Sequence, residues 1–251
     1  MIELRNITLA FGSRELVVGA SARFRCGEMV ALLGRNGTGK STLLRAIASL
    51  GKMQGGSVLI GGEELSEIAP CDLARRIAFV NTERVDVEVL SAYDLGAIGR
   101  SPYTDWAGRL TSHDREVVER SLHLAGVESL AHRSVETLSD GEYQRVMIAR
   151  ALAQETPAIL LDEPTSFLDL PNRYALCQLL RELAHTQNKC ILFSTHELDI
   201  ALSLADSIAL VDTPRLHHLP TEEMVHSGNI ERLFNSDNIQ FDAGTASIKM
   251  R

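Results

Sequence analysis

Short unbroken apolar runs alternate with stretches of helical periodicity along this chain. Met29-Val30-Ala31-Leu32-Leu33, Ile77-Ala78-Phe79-Val80, Ala158-Ile159-Leu160-Leu161, Cys190-Ile191-Leu192-Phe193-Ser194 and residues 207–211 have the length and continuity of strands covered on both faces. Residues 43–48 read as a helix after the first of these. Residues 171–185 form an amphipathic helix with Pro171 suited to its first turn and Leu176, Leu179, Leu180 and Leu183 facing inward. Residues 114–125 place Val118, Leu122 and Ala125 on one helical face, with Ser112 as the expected cap. Strands that alternate with helices predict an α/β chain built on a mostly parallel, helix-covered sheet.

The ends of the chain follow other patterns. Residues 2–9 alternate as an edge strand would, until Phe11-Gly12 interrupts them, and residues 57–60 are bracketed by Gly55-Gly56 and Gly61-Gly62. These short strands and tight turns point to a small antiparallel sheet. From about residue 85 to residue 150 the pattern is helical, broken by a loop at residues 101–106 that holds the only tryptophan, Trp106, either as an aromatic anchor or as a partner contact. The tail after Pro214 is mixed, with a hairpin expected at residues 242–245 and with His217-His218 read as a solvated loop rather than a metal site.

Composition narrows the classes. A net charge of −8, with no lysine or arginine cluster, argues against a general nucleic-acid surface. No apolar run nears the ~20 residues of a membrane span, and the first residues lack the zones of a secretory signal. The cytosol is the expected location. Cys26, Cys71, Cys177 and Cys190 are scattered, without a Cys-x-x-Cys pair, and read as small apolar residues.

The strongest candidate chemistry lies at Gly34-Arg35-Asn36-Gly37-Thr38-Gly39-Lys40-Ser41-Thr42, between a predicted strand and a predicted helix. The spacing fits a phosphate loop. Glycines let successive backbone N–H groups point into one concavity at a helix N-terminus, where phosphate oxygens bind. Lys40 would reach the β- and γ-phosphates and Ser41 would place its hydroxyl on Mg²⁺; the plain alternative is a glycine-rich turn with a chance lysine.

Asp162 and Glu163 follow the four apolar residues of the third run, Ala158 to Leu161. An aspartate at that strand end can hold Mg²⁺ opposite Ser41. Glu163, one residue on, turns the other way and can serve the attacking water as general base or orienter. In Leu138-Ser139-Asp140-Gly141-Glu142, Ser139 and Glu142 have capping-box spacing. The same helix end, with the Ser139 hydroxyl and Gly141 N–H, can alternatively be a second anion site.

The phosphate loop, Leu138 to Glu142, Leu160-Leu161-Asp162-Glu163-Pro164, Ser166-Phe167-Leu168-Asp169 and Ser194-Thr195-His196 stand in an order that resembles the ATP-binding cassette ATPases over residues 1–235. Gly99, Pro102-Tyr103-Thr104, Trp106, Gly108-Arg109-Leu110 and Asp114-Arg115 resemble the subfamily that energises uptake of iron siderophores, haem and cobalamin. The resemblance implies a P-loop NTPase fold: a RecA-like core with an antiparallel β portion (residues 1–85 and 154–235), an inserted helical subdomain (86–153) and a C-terminal tail (236–251). It implies ATP and Mg²⁺ as ligands, and two copies packed head to tail with ATP between the phosphate loop of one and residues 139–142 of the other. It also implies membrane permease subunits, a substrate-binding protein behind them, and a place on the inner face of the cell membrane.

Residue by residue, Phe11 matches the aromatic that stacks on adenine, Gly34 to Thr42 the nucleotide cradle, and Ser139, Gly141 and Glu142 the signature segment. Asp169 matches the residue linking two copies, and His196 the histidine that meets the γ-phosphate and attacking water. Asp140 and Glu142 depart from the usual glycine and glutamine, and Thr82 with Glu83 stand where a metal-touching glutamine is usual. Either could bind the metal through oxygen, but neither reproduces an amide's donor and acceptor pair. Two rivals remain: a non-transport cassette ATPase, as in iron–sulfur assembly or translation, and a P-loop small-molecule kinase.

Overall fold

The computed structural model describes residues 1–81, 90–236 and 238–250. Strands β1 (Ile2–Phe11) and β2 (Arg14–Phe24) form a hairpin and lead to β3 (Glu28–Leu33). Helix α1 (Lys40–Ile47), β4 (Gly55–Ile60), β5 (Glu63–Glu64), the single turn α2 (Pro70–Leu73) and β6 (Ile77–Val80) follow. Helices α3 (Ala92–Ala97), α4 (Ser112–Leu124) and α5 (Asp140–Ala153) then pack together. The chain continues through β7 (Ala158–Leu161), α6 (Leu170–Thr186), β8 (Cys190–Thr195), α7 (Leu198–Leu204), β9 (Ser207–Asp212) and β10 (Arg215–Pro220). It ends with α8 (Thr221–His226), α9 (Asn229–Phe234) and a hairpin of β11 (Ile239–Asp242) and β12 (Ser247–Met250).

The central sheet runs β10-β9-β3-β8-β7-β6, parallel except for β10, and a second, antiparallel sheet runs β2-β1-β4-β5. Successive residues of β3 serve different cores, as the pleat requires. Val30 and Leu32 join Leu43, Leu44 and Ile47 of α1 and Ile2, Leu4 and Val58 of the antiparallel sheet. Met29, Ala31 and Leu33 join Met147 and Ile148 of α5 and Leu176 and Leu180 of α6. Each of these valine, leucine, isoleucine and methionine side chains contributes roughly 1.5–3 kcal/mol by leaving water, so both sheet faces hold the strand ends in place.

Several expectations are corrected. Residues 2–9 belong to an interior strand, because β2 and β4 take both ladder edges of β1. Alternation reports which face is buried, not whether an edge is free. Thr111, not Ser112, caps α4, with its hydroxyl accepting from Asp114 N–H while the Asp114 carboxylate accepts from Thr111 N–H. Helix α6 starts at Leu170 behind an Asp169 cap, and Leu179 is only half-buried beside the buried Leu176, Leu180 and Leu183. His217 and His218 lie in β10 rather than in a loop. The His218 ring stands edge-on to Phe24 at 5.0 Å with Nε2 2.9 Å from Ser207 Oγ, and burial pushes its pKa down. Cys177 and Cys190 are buried as expected, whereas Cys26 and Cys71 are exposed.

Within the helical stretch, Arg100 is buried; it donates to Asp114 Oδ1 (2.9 Å), Ala153 O (2.8 Å) and Glu155 Oε2 (2.8 Å) and lies over the Tyr103 ring. This ties the 3₁₀ turn Ile98–Tyr103 to α4 and α5 and leaves Trp106 98% exposed beyond it. Among the described residues no helix is long and apolar enough to cross a membrane.

Candidate active site

Parallel register decides which side chains meet. Leu33 lies opposite Thr195 and Leu161 opposite Phe193, so Gly34, Asp162 and Ser194 to His196 emerge together at the carboxyl end of the sheet. The carboxyl ends of parallel strands are where such folds bind ligands.

The loop between β3 and α1 is a backbone cradle. Gly37 and Gly39 sit at φ 76° and 101°, in the left-handed region, and a Cβ on Gly39 would come within 2.9 Å of Leu16 Cβ. Thr38 braces the turn by donating to Arg35 O at 2.9 Å. Lys40, the first residue of α1, is 4% exposed, and its Nζ donates to Gly34 O at 2.9 Å and Arg35 O at 3.1 Å. Desolvation pushes the Lys40 pKa down, opposed by the nearby Glu163 and Asp162 carboxylates. No acid occupies the first turn of α1, which leaves the positive helix end to an anion. Phe11, Asn36, Gly37, Gly39, Lys40, Ser41, Thr42 and Glu163 line a cavity of about 430 Å³ there, and the Phe11 side of it is open, the residue being 77% exposed.

Asp162 Oδ1 accepts from Ser41 Oγ at 2.8 Å and from Ser194 Oγ at 2.7 Å. Hydroxyl and carboxylate oxygens held together beside a lysine are the hard donors that fit Mg²⁺. Glu163 leaves the strand at φ 46°, a rare backbone state for a residue with a side chain. Its N–H donates to Ser194 Oγ at 2.8 Å, and Ser166 Oγ donates to its Oε2 at 3.1 Å. Glu163 Oε1 stands 3.9 Å from both Lys40 Nζ and His196 Nδ1. Ser194, named in the sequence only as a strand end before His196 and given no role there, is fully buried and holds both carboxylate residues at once. Only the register of β7 on β8 reveals it.

Other candidates gather elsewhere. Ser139 caps α5 in a reciprocal box with Glu142, and hydrogen bonds from Ser139 hold the Glu142 pKa down. Asp169 caps α6 through Asn172 N–H, and a Cβ on Gly141 would stand 3.8 Å from Asn172 Cγ, so the two helix starts are neighbours. None of Ser139, Gly141, Glu142 or Asp169 lines the Phe11 to Glu163 cavity. Thr82 and Glu83 lie outside the described residues.

Comparison with known proteins matches residues 17–166 to the ABC transporter family. The chain is 41% identical over 84% of its length to 73% of an uncharacterised ABC transporter ATP-binding protein of Methanocaldococcus jannaschii. It is 34% identical over 94% of its length to 88% of the achromobactin transport ATP-binding protein of Dickeya dadantii. Among solved structures it resembles one described as an inward-facing metal-chelate type ABC transporter, with TM-score 0.81, 30% identity, and 93% and 88% of the two chains covered. A dimeric bacterial ABC transporter cassette aligns at TM-score 0.73 and 26% identity, covering 88% and 99%. Strand-end geometry, family match and relatives agree: this chain belongs to the ABC transporter family and is one of its ATP-binding cassettes, an ATPase with the P-loop NTPase fold.

Proposed function

We propose that this cassette hydrolyses ATP at an interface between two head-to-tail copies and thereby powers an importer for an iron complex such as a siderophore or haem, or for cobalamin. The observation that carries the reading is the convergence of Lys40, Ser41, Asp162, Glu163 and His196 at the carboxyl end of the sheet beside an open aromatic at Phe11. Relatives named for siderophore, petrobactin and cobalamin import supply the cargo class.

The roles follow from chemistry. The cradle from Gly34 to Thr42, Arg35, Asn36 and Thr38 included, offers N–H groups to phosphate oxygens, and Lys40 adds a desolvated cation whose field is stronger for being out of water. Phe11 gives adenine a flat face. Ser41 and Asp162 would hold Mg²⁺, with Thr82 and Glu83 as further oxygen donors; when bound, the ion offsets phosphate charge as the terminal bond breaks. Glu163 takes or orients the proton of the attacking water, and His196 stands ready to hydrogen-bond both that water and the γ-phosphate. Ser139, Gly141 and Glu142 of the opposite copy face the same phosphate, and Asp169 links the copies.

Two copies closed around ATP share its terminal phosphate, and hydrolysis removes the shared anion so that they part. The helical subdomain at residues 86–153, with the loop around Tyr103 and Trp106, is the surface we assign to permease subunits, which places the cassette on the inner face of the membrane. A substrate-binding protein would deliver cargo on the other side. Co-purification of the chain with membrane subunits and their binding protein tests this reading; recovery of soluble partners alone would favour a non-transport cassette, and phosphate transfer outpacing hydrolysis would favour a kinase.

A further inference from the structure

Residues 139–142, if they meet the other copy's triphosphate, carry an awkward charge. The first turn of α5 holds two acids, Asp140 and Glu142. Both suit the positive end of a helix dipole, and both compete with a phosphate for it. Glu142 competes more directly, because its Oε2 accepts from Ser139 N–H at 2.8 Å and from Ser139 Oγ at 3.0 Å. The hydroxyl proton that a phosphate oxygen would receive is thus held inside the capping box.

The other carboxylate oxygen has a cation beside it. Glu142 Oε1 lies 3.4 Å from Arg133 Nη1. Arg133 is anchored by a second contact, Nη2 donating to Thr137 O at 2.6 Å, and its backbone is fixed where Arg133 O accepts from Ala92 N–H at 2.9 Å. The guanidinium therefore stands at the oxygen that the cap leaves over.

We propose that Arg133 is a positioning residue for the contact between copies: it draws Glu142 through Oε1 and offsets its charge, so that Ser139 can turn its hydroxyl from Glu142 to the phosphate of the opposite nucleotide. This rests on the head-to-tail reading above. In a single chain the two side chains are 44% and 34% exposed, where an ion pair adds little to folding. Covering by a second copy removes water and strengthens the pair at the moment when an uncompensated carboxylate would repel the phosphate most. Folding and assembly should accordingly respond to Arg133 in different degrees.

The test uses the full chain carrying Glu163→Gln, titrated with Mg-ATP while mass is read by light scattering, with fluorescent ADP binding and thermal melting as controls. Arg133→Ala should raise the ATP concentration for half-maximal dimerisation about tenfold, with melting and ADP binding unchanged, and Arg133→Lys should recover most of the loss. Adding Glu142→Gln should make Arg133→Ala harmless, since no carboxylate then needs offsetting. A defect of equal size with Glu142→Gln present, or no defect in its absence, overturns the assignment. A Glu163→Gln chain that never dimerises with ATP removes the head-to-tail reading, and the role of Arg133 with it.

Discussion

Ser194 donates a 2.7 Å hydrogen bond to Asp162 Oδ1 from a fully buried position, and its oxygen also accepts the Glu163 N–H at 2.8 Å. One hydroxyl thus aims two carboxylates at different targets: Asp162 toward Ser41, and Glu163, through its unusual φ, toward Lys40 and His196. Ser194→Ala should lower ATP turnover about 10–100-fold and cost about 1–3 kcal/mol of stability by removing the buried bond to Asp162 and the partner of the part-buried Glu163 N–H. Steady-state kinetics beside urea unfolding check both; a Ser194→Ala protein with wild-type turnover would mean that Asp162 and Glu163 need no such bracket.

The reason the role of Ser194 cannot be read from the sequence is physical. The phosphate loop and the Asp162-Glu163 pair are legible because each is local: glycine spacing, or an apolar run ending in acid, is written in consecutive residues. Ser194 matters only because β7 and β8 pair in the register that sets Leu161 opposite Phe193, and register is a relation between distant segments. The misread edge of β1 has the same origin, since the ladder from Ile2 to Ile60 is invisible in either strand alone. Thr111 over Ser112 was decided by which hydroxyl reaches Asp114 N–H, a matter of one residue's backbone.

Lys40 is desolvated and bonded to two carbonyls that a phosphate can replace as partners. Lys40→Ala should reduce ATP hydrolysis by at least about a hundredfold, the scale for losing a preorganised donor at a developing charge. An ATPase assay in which this variant keeps its rate would remove the phosphate-loop assignment.

Phe11 is exposed, so its ring adds little to folding. Phe11→Ala should weaken ATP binding by about 1–3 kcal/mol, the worth of a base stacked on an aromatic, while Phe11→Tyr keeps it and both melt normally. Equal affinities for all three proteins would place the adenine elsewhere.

The Arg100–Asp114 pair predicts an acid limb of stability. Hydrogen bonds from Thr111, together with the Arg100 guanidinium, hold the Asp114 carboxyl down to about 2. A folded pKa below the unfolded one gives stability that is complete above about pH 4 and lost as pH falls toward 2. Urea midpoints should drop across that window in the wild type and change less in Asp114→Asn. At pH 7 that variant should be about 1–3 kcal/mol less stable, because the buried Arg100 keeps, among the described residues, Glu155 as its one remaining charged partner.

The central claim is that one triphosphate is held by two copies of this chain, and Glu163→Gln tests it most directly. Light scattering of that variant should give the mass of a dimer with Mg-ATP and of a single chain with ADP or without nucleotide, with hydrolysis lowered about 10²–10⁴-fold. A single-chain mass at saturating ATP, or hydrolysis at the wild-type rate, would contradict the account.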